Sequence, residues 1–394
     1  MRRGLYIGWL WSGIVLMLLT VGCSSDDNGM EEKQPTMLTV YVYSPDHPLL
    51  IRSAVREVNP SVEESKITRL QIWIFEHTDE HKPVAYFDTN ETSLLSVGEG
   101  AIYQIPVSDD FAQRKPDVDV YVIANLPEGE YGNTLNSEST RANILAATIP
   151  EGYYGLTTPT TQVPSTGLPM SGSLMDQPVV GEAPVLRVGS ATKIATVQLT
   201  RCVSKVRFVF ANTKGTAQNP APELIIKGIT MNAEMIPQQE YLIVQDKEDN
   251  ELTYNTEVKS LFTGSSEAPF LVNETQDPTK FIYDGREAQA YEDYLDEYIY
   301  KAEPELSQLG PYYLRESDQQ LSGTILYQIG NVDKPAMVDK PAMSFQMEQA
   351  GDFLRNHTWI VYAYYVGGGY LQLDALYVKN WNLDKSKEHE VYNW

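Results

Sequence analysis

The amino-acid sequence predicts an all-β protein made of two tandem β-sandwich domains with one or two short helices. The 394 residues suit two or three domains, at roughly 150 residues for each domain. Short segments of β-branched and aromatic residues recur along the chain between turn residues, which is the pattern of sandwiches. Tyrosine is common, with 25 residues against 10 phenylalanines, and 26 glycines and 23 prolines supply many turns.

The first half of the chain contains clear strand patterns. Residues 38–44, LTVYVYS, alternate in the way expected of a strand with one buried face. Residues 66–76 place Leu70, Ile72 and Ile74 on one face of a second strand. Further strands are predicted at residues 101–107 and 118–125, and a short helix is predicted at residues 136–147.

A boundary near residues 185–200 divides the chain into the two predicted domains, 38–190 and 191–394. Residues 151–184 are rich in Gly, Pro, Ser and Thr, so we expect a loop there with short strands at best. The second domain contains one good helical pattern, at residues 286–301. Its strands are predicted at residues 193–199, 205–211, 224–232, 240–244, 359–366, 369–378 and 390–394.

The charge of the chain excludes two classes of partner. The formal net charge is −23, from 30 basic and 53 acidic residues. A surface of this sign repels the phosphates of nucleic acid, and it is equally unsuited to electrostatic docking on an anionic membrane. Two cysteines and five scattered histidines do not supply a structural zinc site or a disulfide framework. We therefore expect no nucleic-acid partner and no cofactor.

Residues 1–22 predict a lipoprotein signal peptide. Arg2 and Arg3 precede an apolar run over residues 5–22, and Cys23 follows directly. An uncleaved membrane anchor is the alternative, because a run of this length lies at the edge of what spans a bilayer. The cysteine at the end of the run, followed by a polar tail, favours cleavage before Cys23, which would then carry the lipid.

Residues 23–37 predict a flexible acidic tether. The stretch SSDDNGMEE after Cys23 is polar and has no apolar periodicity. It is either a solvated spacer or an export signal, since it resembles the acidic tags of surface-exposed lipoproteins. After processing, Cys202 is the only unmodified thiol in the sequence, so the mature chain cannot form an internal disulfide.

Catalytic and metal-binding patterns in this sequence are weak. His77 and His81 lie four residues apart, but they follow a strand and precede Pro83, which favours a polar hairpin turn over a zinc site. Residues 291–297 are acidic but lack the glycine turn of a calcium loop. Cys202 lies among strand-forming residues and is interpreted as a packing cysteine. We predict no metal site and no enzymatic activity.

Three further segments combine with the signal peptide into one pattern. The first is Arg56, followed by KITRL at residues 66–70. The second is LTRCVSKV at residues 199–206. The third is LRNHT at residues 354–358, followed by two strand patterns and the ending VYNW. This order and spacing resembles the fimbrillins, the major fimbrial subunits of type V pili, over the whole mature chain.

The resemblance implies two transthyretin-like β-sandwich domains and a structural role in a fimbria. It also implies that an arginine-specific protease cuts the loop after the first strand, residues 38–44, which then leaves. A strand from another subunit fills the groove that opens. Arg56 matches the family's distance to the second strand, and Arg52 is the alternative cleavage site; each also fits a solvated loop residue. The last strand, residues 391–394, is either a donor or an ordinary edge strand.

The resemblance further implies a lipid-anchored precursor in the outer membrane and a mature subunit in a surface fimbria. Its partners would be other fimbrial subunits and the maturation protease. The alternatives are a fimbrial tip adhesin, an anchor subunit, or a surface glycan-binding lipoprotein. Arg56 at the matching distance favours a shaft subunit. A glycan-binding protein would need exposed tryptophans, whereas Trp9 and Trp11, two of the six, lie in the signal peptide.

Overall fold

The strands of the structure confirm the predicted all-β sandwich fold. Residues 35–394 form one compact unit, in which two hydrophobic cores lie between sheets. The computed structural model describes residues 34–43, 63–79, 81–90, 100–126, 135–149, 163–238, 240–244, 253–254, 256–281, 306–331, 334–346, 353–380 and 389–393. The helix predicted at residues 286–301 lies outside these ranges, as do Cys23, Arg52 and Arg56.

The first sandwich consists of two facing sheets. Its strands are β1 Thr36–Tyr43, β2 Leu70–Glu76, β3 Ala85–Thr89, β4 Gly100–Val107, β5 Val118–Ala124, β6 Thr148–Ile149, β7 Met170–Gln177, β8 Val179–Glu182, β9 Val185–Val188, β10 Thr196–Gln198 and β11 Thr200–Arg201. In sheet 1, β1 lies between β4 on one side and both β9 and β10 on the other, with β8 beyond β9. Sheet 2 has the order β11, β7, β5, β2, β3.

The core of the first sandwich forms where the sequence is most continuously apolar. All seven residues of β5, VDVYVIA, are buried in the middle of sheet 2. Trp73 of the adjacent β2 is fully buried, and its Nε1 donates a hydrogen bond of 2.8 Å to the carbonyl of Asn136. Burial of a large ring without an unpaired polar atom stabilises this layer. Sheet 1 packs against this apolar face of sheet 2.

The second sandwich begins at β12. Its strands are β12 Ser204–Thr213, β13 Leu224–Met231, β14 Glu240–Tyr241, β15 Lys259–Thr263, β16 Phe270–Leu271, β17 Glu274–Thr275, β18 Ser307–Leu314, β19 Ser322–Asn331, β20 Lys334–Asp339, β21 Met343–Gln346, β22 His357–Tyr365, β23 Gln372–Asn380 and β24 His389–Asn393. Sheet 3 has the order β17, β12, β22, β23, β24, with β18 also on β12. Sheet 4 is formed around β13 and β19, and β14 pairs with β6 of the first half.

Two short α-helices occur in the described part of the chain, α1 Asp109–Arg114 and α2 Arg141–Leu145. The Ser108 hydroxyl caps α1 by accepting a 3.2 Å hydrogen bond from the backbone N–H of Phe111. Thr140 and Asn143 form a reciprocal capping box at the start of α2. The helix predicted at residues 136–147 therefore exists but is shorter. No helix in these ranges has the length and hydrophobicity of a membrane-spanning segment.

The structure differs from the sequence prediction within residues 151–184. The composition of this stretch predicts a loop with short strands at best, but the stretch contains the eight-residue β7. β7 pairs with β5 and β11, and Gly172 allows it to approach β10 closely, because a Cβ there would overlap the carbonyl of Gln198. The boundary at residue 190 remains a prediction; β10 and β11, which follow it, pair with β1 and β7.

Candidate functional site

The first strand of the described chain lies in the interior of a sheet. β1 pairs antiparallel with β4 along its whole length, from Thr36 opposite Val107 to Tyr43 opposite Gly100. On its other side, β1 pairs in parallel with β9 at residues 37–39 and with β10 at residues 41–43. Removal of β1 would therefore leave unpaired backbone groups on both sides of one strand-wide gap.

The inward face of β1 is part of the first hydrophobic core. Leu38, Val40 and Val42 alternate along the strand and are fully or almost fully buried. At about 1.5–3 kcal/mol for each buried aliphatic side chain, the three contribute on the order of 5–9 kcal/mol before the entropy of ordering the strand is subtracted. A strand that replaces β1 would need similar side chains at these positions.

The outward face of β1 reaches the surface. Met37, Tyr41 and Tyr43 are half-buried, and their neighbours Ile102 on β4 and Val185 on β9 are 52% and 53% exposed. β1 is thus a single layer between the core and the solvent. Three of the four outward side chains of β1 are partly exposed among the described residues, and the fourth, Thr39, is buried.

The two rims of the β1 position are held by different means. β9 pairs with β8, and β10 packs closely over Gly172 of β7, so this rim has contacts independent of β1. Among the described strands, β4 pairs only with β1. β4 is also held by its buried side chains, including Tyr103, whose ring centroid lies 5.5 Å from that of Phe87.

A short segment that follows Arg56 in the sequence is held by buried polar contacts to Lys205 and Tyr313 of the second sandwich and to Arg201 of β11. Lys205 Nζ lies 3.1 and 3.2 Å from the two carboxylate oxygens of Glu64, and the Tyr313 hydroxyl donates to the same carboxylate at 2.6 Å. Arg201 donates to the Glu64 carbonyl at 3.1 Å and to the Ser65 hydroxyl at 2.9 Å. We call these five residues the Glu64 cluster. Burial lowers the pKa of Lys205 to about 8, although the Glu64 carboxylate opposes this shift.

The same segment is also bonded to the first sandwich. The Asn125 side chain accepts from the backbone N–H of Thr68 at 2.8 Å and donates to the carbonyls of Lys66 and Leu168, both at 2.7 Å. Asn125 has a φ of 62°, a conformation that asparagine tolerates better than most residues. Residues 63–68 are therefore tied to both sandwiches on the far side of the loop from β1.

The segments that carry the family resemblance meet around this cluster. Arg201 Nη1 lies 3.4 Å from Asn356 Oδ1, and the backbone N–H of Asn356 donates to Val203 at 2.8 Å. Arg355 forms a buried ion pair of 3.2 Å with Glu240, which also belongs to this region. Burial raises the pKa of the neighbouring Cys202 thiol to about 12, so it is protonated at neutral pH. This agrees with the interpretation of Cys202 as a packing residue.

The histidine pair lies in the connection between β2 and β3. Within the described residues, no group of three or more His, Cys, Asp or Glu side chains is arranged to hold a metal ion. His77 Nδ1 instead lies 2.8 Å from the buried carboxylate of Asp119, which Arg141 also approaches at 3.1 Å. Asp176 is 4.0 Å from the other ring nitrogen. The hydrogen bond to Asp119 and its charge raise the pKa of His77.

We expect the stabilising contribution of His77 to depend on pH. Because the folded-state pKa is raised, the contribution is fully present below the ordinary histidine pKa of about 6.5. It is lost as the pH rises through the folded-state value. In urea unfolding, His77→Ala should therefore lower the unfolding free energy more at pH 5.5 than at pH 8.5. The exposed His81, replaced by Ala, is the control; an equal loss at both pH values for His77→Ala would contradict the prediction.

The C-terminal strand lies at the border of sheet 3. The backbone of β24 pairs antiparallel with β23 through residues 389–393, and in the described part of the chain it is the last strand of that sheet. The preceding hairpin turns through Gly367–Gly369, which all have positive φ. An outermost strand with one partner is free to exchange that partner more easily than an interior strand.

Comparison with known proteins adds to this geometry. No protein-family model and no curated protein sequence matches the chain. Among solved structures, a "putative cell adhesion protein" from Parabacteroides distasonis is 15% identical, with 91% of this chain and 96% of that chain covered and a TM-score of 0.50. The chain shares its fold with this protein.

Two further solved structures are similar over most of their length. A protein of the same description from Bacteroides eggerthii is 12% identical, with 92% of this chain and 97% of that chain covered and a TM-score of 0.47. A fimbrilin, FimA, from Porphyromonas gingivalis is 10% identical, with 91% and 95% covered and a TM-score of 0.45.

Proposed function

We propose that this chain is a structural subunit of a surface fimbria that is exported as a lipoprotein and polymerises by strand exchange. The observation that carries the proposal is the position of β1. It is an interior strand with an apolar inward face, and Arg52 and Arg56 lie between it and β2 in the sequence. The fimbrillin resemblance implies the same steps, namely export as a lipoprotein, cleavage after the first strand and replacement of that strand by one from another subunit.

A cut in this loop would separate β1 from the body without loosening the body. Residues 63–68 stay attached through the Glu64 cluster and Asn125, whereas β1 is held by ladder hydrogen bonds and side-chain packing. Both candidate arginines precede these attachments in the sequence. An extended strand from another copy can replace β1 by β-strand addition, in which ladder bonds supply affinity and side-chain pockets supply selection.

The resulting contact would be head to tail, because the accepting groove and the donated strand are different surfaces of the subunit. Such a contact produces open filaments rather than closed rings. The partners are other fimbrial subunits, and the role is structural rather than catalytic. β24 is the proposed donor, since it is the outermost strand of sheet 3 in the described part of the chain.

Replacing Arg56 with Ala should block maturation and leave full-length monomers. The physical reason is that β1 stays covalently joined to the body, so any strand that leaves returns at high effective concentration. The measurement is gel electrophoresis and electron microscopy of cells that produce the variant. Arg52→Ala is the matched control in the same loop. Normal fibres from Arg56→Ala would eliminate this site, and loss of fibres in Arg52→Ala alone would assign cleavage to Arg52.

Replacing Cys23 with Ala should abolish acylation and release the precursor from the membrane. The acyl chains anchor a lipoprotein by burying their methylene groups, so their loss removes the anchor. The measurement is incorporation of labelled palmitate together with membrane fractionation. Cys202→Ala is the control, because this thiol is buried. Undiminished label in Cys23→Ala would show that the anchor is assigned to the wrong residue.

A further inference from the structure

Tyr43, the last residue of β1, lies over a glycine on the neighbouring strand. It is paired with Gly100 of β4 on one side and with Gln198 of β10 on the other. A Cβ atom on Gly100 would overlap the Tyr43 ring, so the ring occupies the space that a side chain at residue 100 would take. We call this space, formed by Gly100 and filled by Tyr43, the Gly100 notch.

The notch occurs at one position along the β1 site. Gly100 is the only glycine of β4, whose sequence is GAIYQIPV, and neither β9 nor β10 contains one. The next outward residue of β4 is Ile102, which lies opposite Tyr41 and carries a branched side chain. A glycine beside a cross-strand aromatic ring gains packing that its own missing side chain cannot supply. Among the positions of β4, β9 and β10, Gly100 is therefore the one where an aromatic ring of β1 can lie directly on the backbone of a neighbouring strand.

The alternation of apolar residues does not by itself determine the register in which a replacing strand pairs with β4. A slip of one residue turns Leu38, Val40 and Val42 outward, and burial excludes it. A slip of two residues keeps the alternation and places aliphatic side chains inward again. A slip of two residues in one direction moves the Tyr43 ring from Gly100 onto the branched side chain of Ile102, so the Gly100 notch disfavours it. A slip of two residues in the other direction places the ring of Tyr41 opposite Gly100.

We propose that the Gly100 notch selects an aromatic side chain in the strand that replaces β1 and disfavours the slip that would move this side chain onto Ile102. This inference rests on the proposed strand exchange. The occupant is an extended strand from a second copy of this chain. It carries an aliphatic side chain at an inward position and an aromatic residue directly after it. In the proposed donor strand β24, Val391 and Tyr392 form this pair, and His389 lies at the preceding alternate position.

The test measures binding of labelled synthetic peptides to the mature chain after limited trypsin treatment. One peptide has the sequence of residues 36–43, a second carries Tyr43→Ala, and a third carries Tyr41→Ala. The third is the matched control, since it loses the same ring from the same face at a position opposite Ile102. We expect the Tyr43→Ala peptide to bind about tenfold more weakly than the unchanged peptide, and the Tyr41→Ala peptide to lose about twofold.

A protein variant provides the reciprocal measurement. In Gly100→Ala the ring cannot be seated, so the unchanged and Tyr43→Ala peptides should bind equally well. The peptide comparison on the unchanged protein does not depend on the folding of this variant. Equal binding of the unchanged and Tyr43→Ala peptides to the unchanged protein would overturn the notch and leave strand exchange intact. Failure of every peptide to bind would overturn strand exchange as well.

Discussion

A disulfide between β1 and β4 is expected to abolish polymerisation completely, and its reduction is expected to restore it. Thr39 and Gln104 lie directly opposite each other on the two strands. Opposed residues of an antiparallel pair have Cα atoms about 4.5–5.5 Å apart, which suits a disulfide. In the variant Thr39→Cys/Gln104→Cys, the loop after β1 can still be cut. The covalent bond keeps β1 in its place, so no groove opens.

The measurement compares polymer formation by the oxidised and the reduced variant after protease treatment. The matched control is Thr230→Cys/Thr324→Cys, which links β13 to β19 in the second sandwich. These two hydroxyl oxygens are 2.6 Å apart, and both strands stay in the subunit. The control should polymerise in both redox states. Polymer from the oxidised Thr39→Cys/Gln104→Cys variant would mean that β1 does not need to leave.

The strands that sequence reasoning located are those whose burial follows from their own residues. β1 alternates, and all of β5 is apolar apart from Asp119, so a local pattern identifies both. β7 reads MSGSLMDQ and carries no such pattern. It is a strand because β5 and β11 pair with it and because Gly172 admits β10, and these are contacts between distant parts of the chain.

The features of the candidate site likewise fall into those that sequence patterns predict and those that depend on contacts between distant residues. Alternation predicts the strand β1, whereas the proposals that β1 leaves and that the chain is cut at Arg56 or Arg52 come from the family resemblance. The burial of Glu64 does not, since charged residues are mostly exposed. Its partners Lys205 and Tyr313 lie 141 and 249 positions away in the sequence, and no local signal links them. The sequence does not reveal the Gly100 notch for the same reason. The role of a glycine in a strand becomes visible only when the ring that lies over it is known.

Replacing Glu64 with Ala is expected to destabilise the folded chain by about 3–5 kcal/mol, the range found when one partner of a buried ion pair is removed. The Glu64 and Lys205 side chains are only 3% and 4% exposed, so the ammonium group of Lys205 would remain buried without its carboxylate. The Tyr313 hydroxyl would lose the acceptor that it meets at 2.6 Å. The measurement is the free energy of unfolding in urea at neutral pH.

The controls separate charge, hydrogen bonding and exposure. Glu64→Gln keeps an acceptor for Tyr313 but removes the charge, so it should lose most of the stability that Glu64→Ala loses. Glu138→Ala removes the partner of Lys82 from a pair whose side chains are 72% and 71% exposed. That change should cost less than about 1 kcal/mol. A loss of similar size for Glu64→Ala and Glu138→Ala would contradict the importance of the Glu64 cluster.

The loss of unfolding free energy in Glu64→Ala is expected to depend on pH, and a loss of packing alone would not produce that dependence. The pKa of Lys205 is lowered to about 8 in the folded chain, against about 10.4 when unfolded. The unfolded chain therefore binds more protons between these values, and the Lys205 contribution to stability rises with pH there.

Without the Glu64 carboxylate, the folded-state pKa of Lys205 should fall further. The cost of Glu64→Ala should then be largest where Lys205 is charged in both proteins and shrink as the pH approaches and passes 8. A cost independent of pH would assign Glu64 to packing alone, whereas a cost that shrinks with rising pH would show that Glu64 and Lys205 act as a buried charge pair.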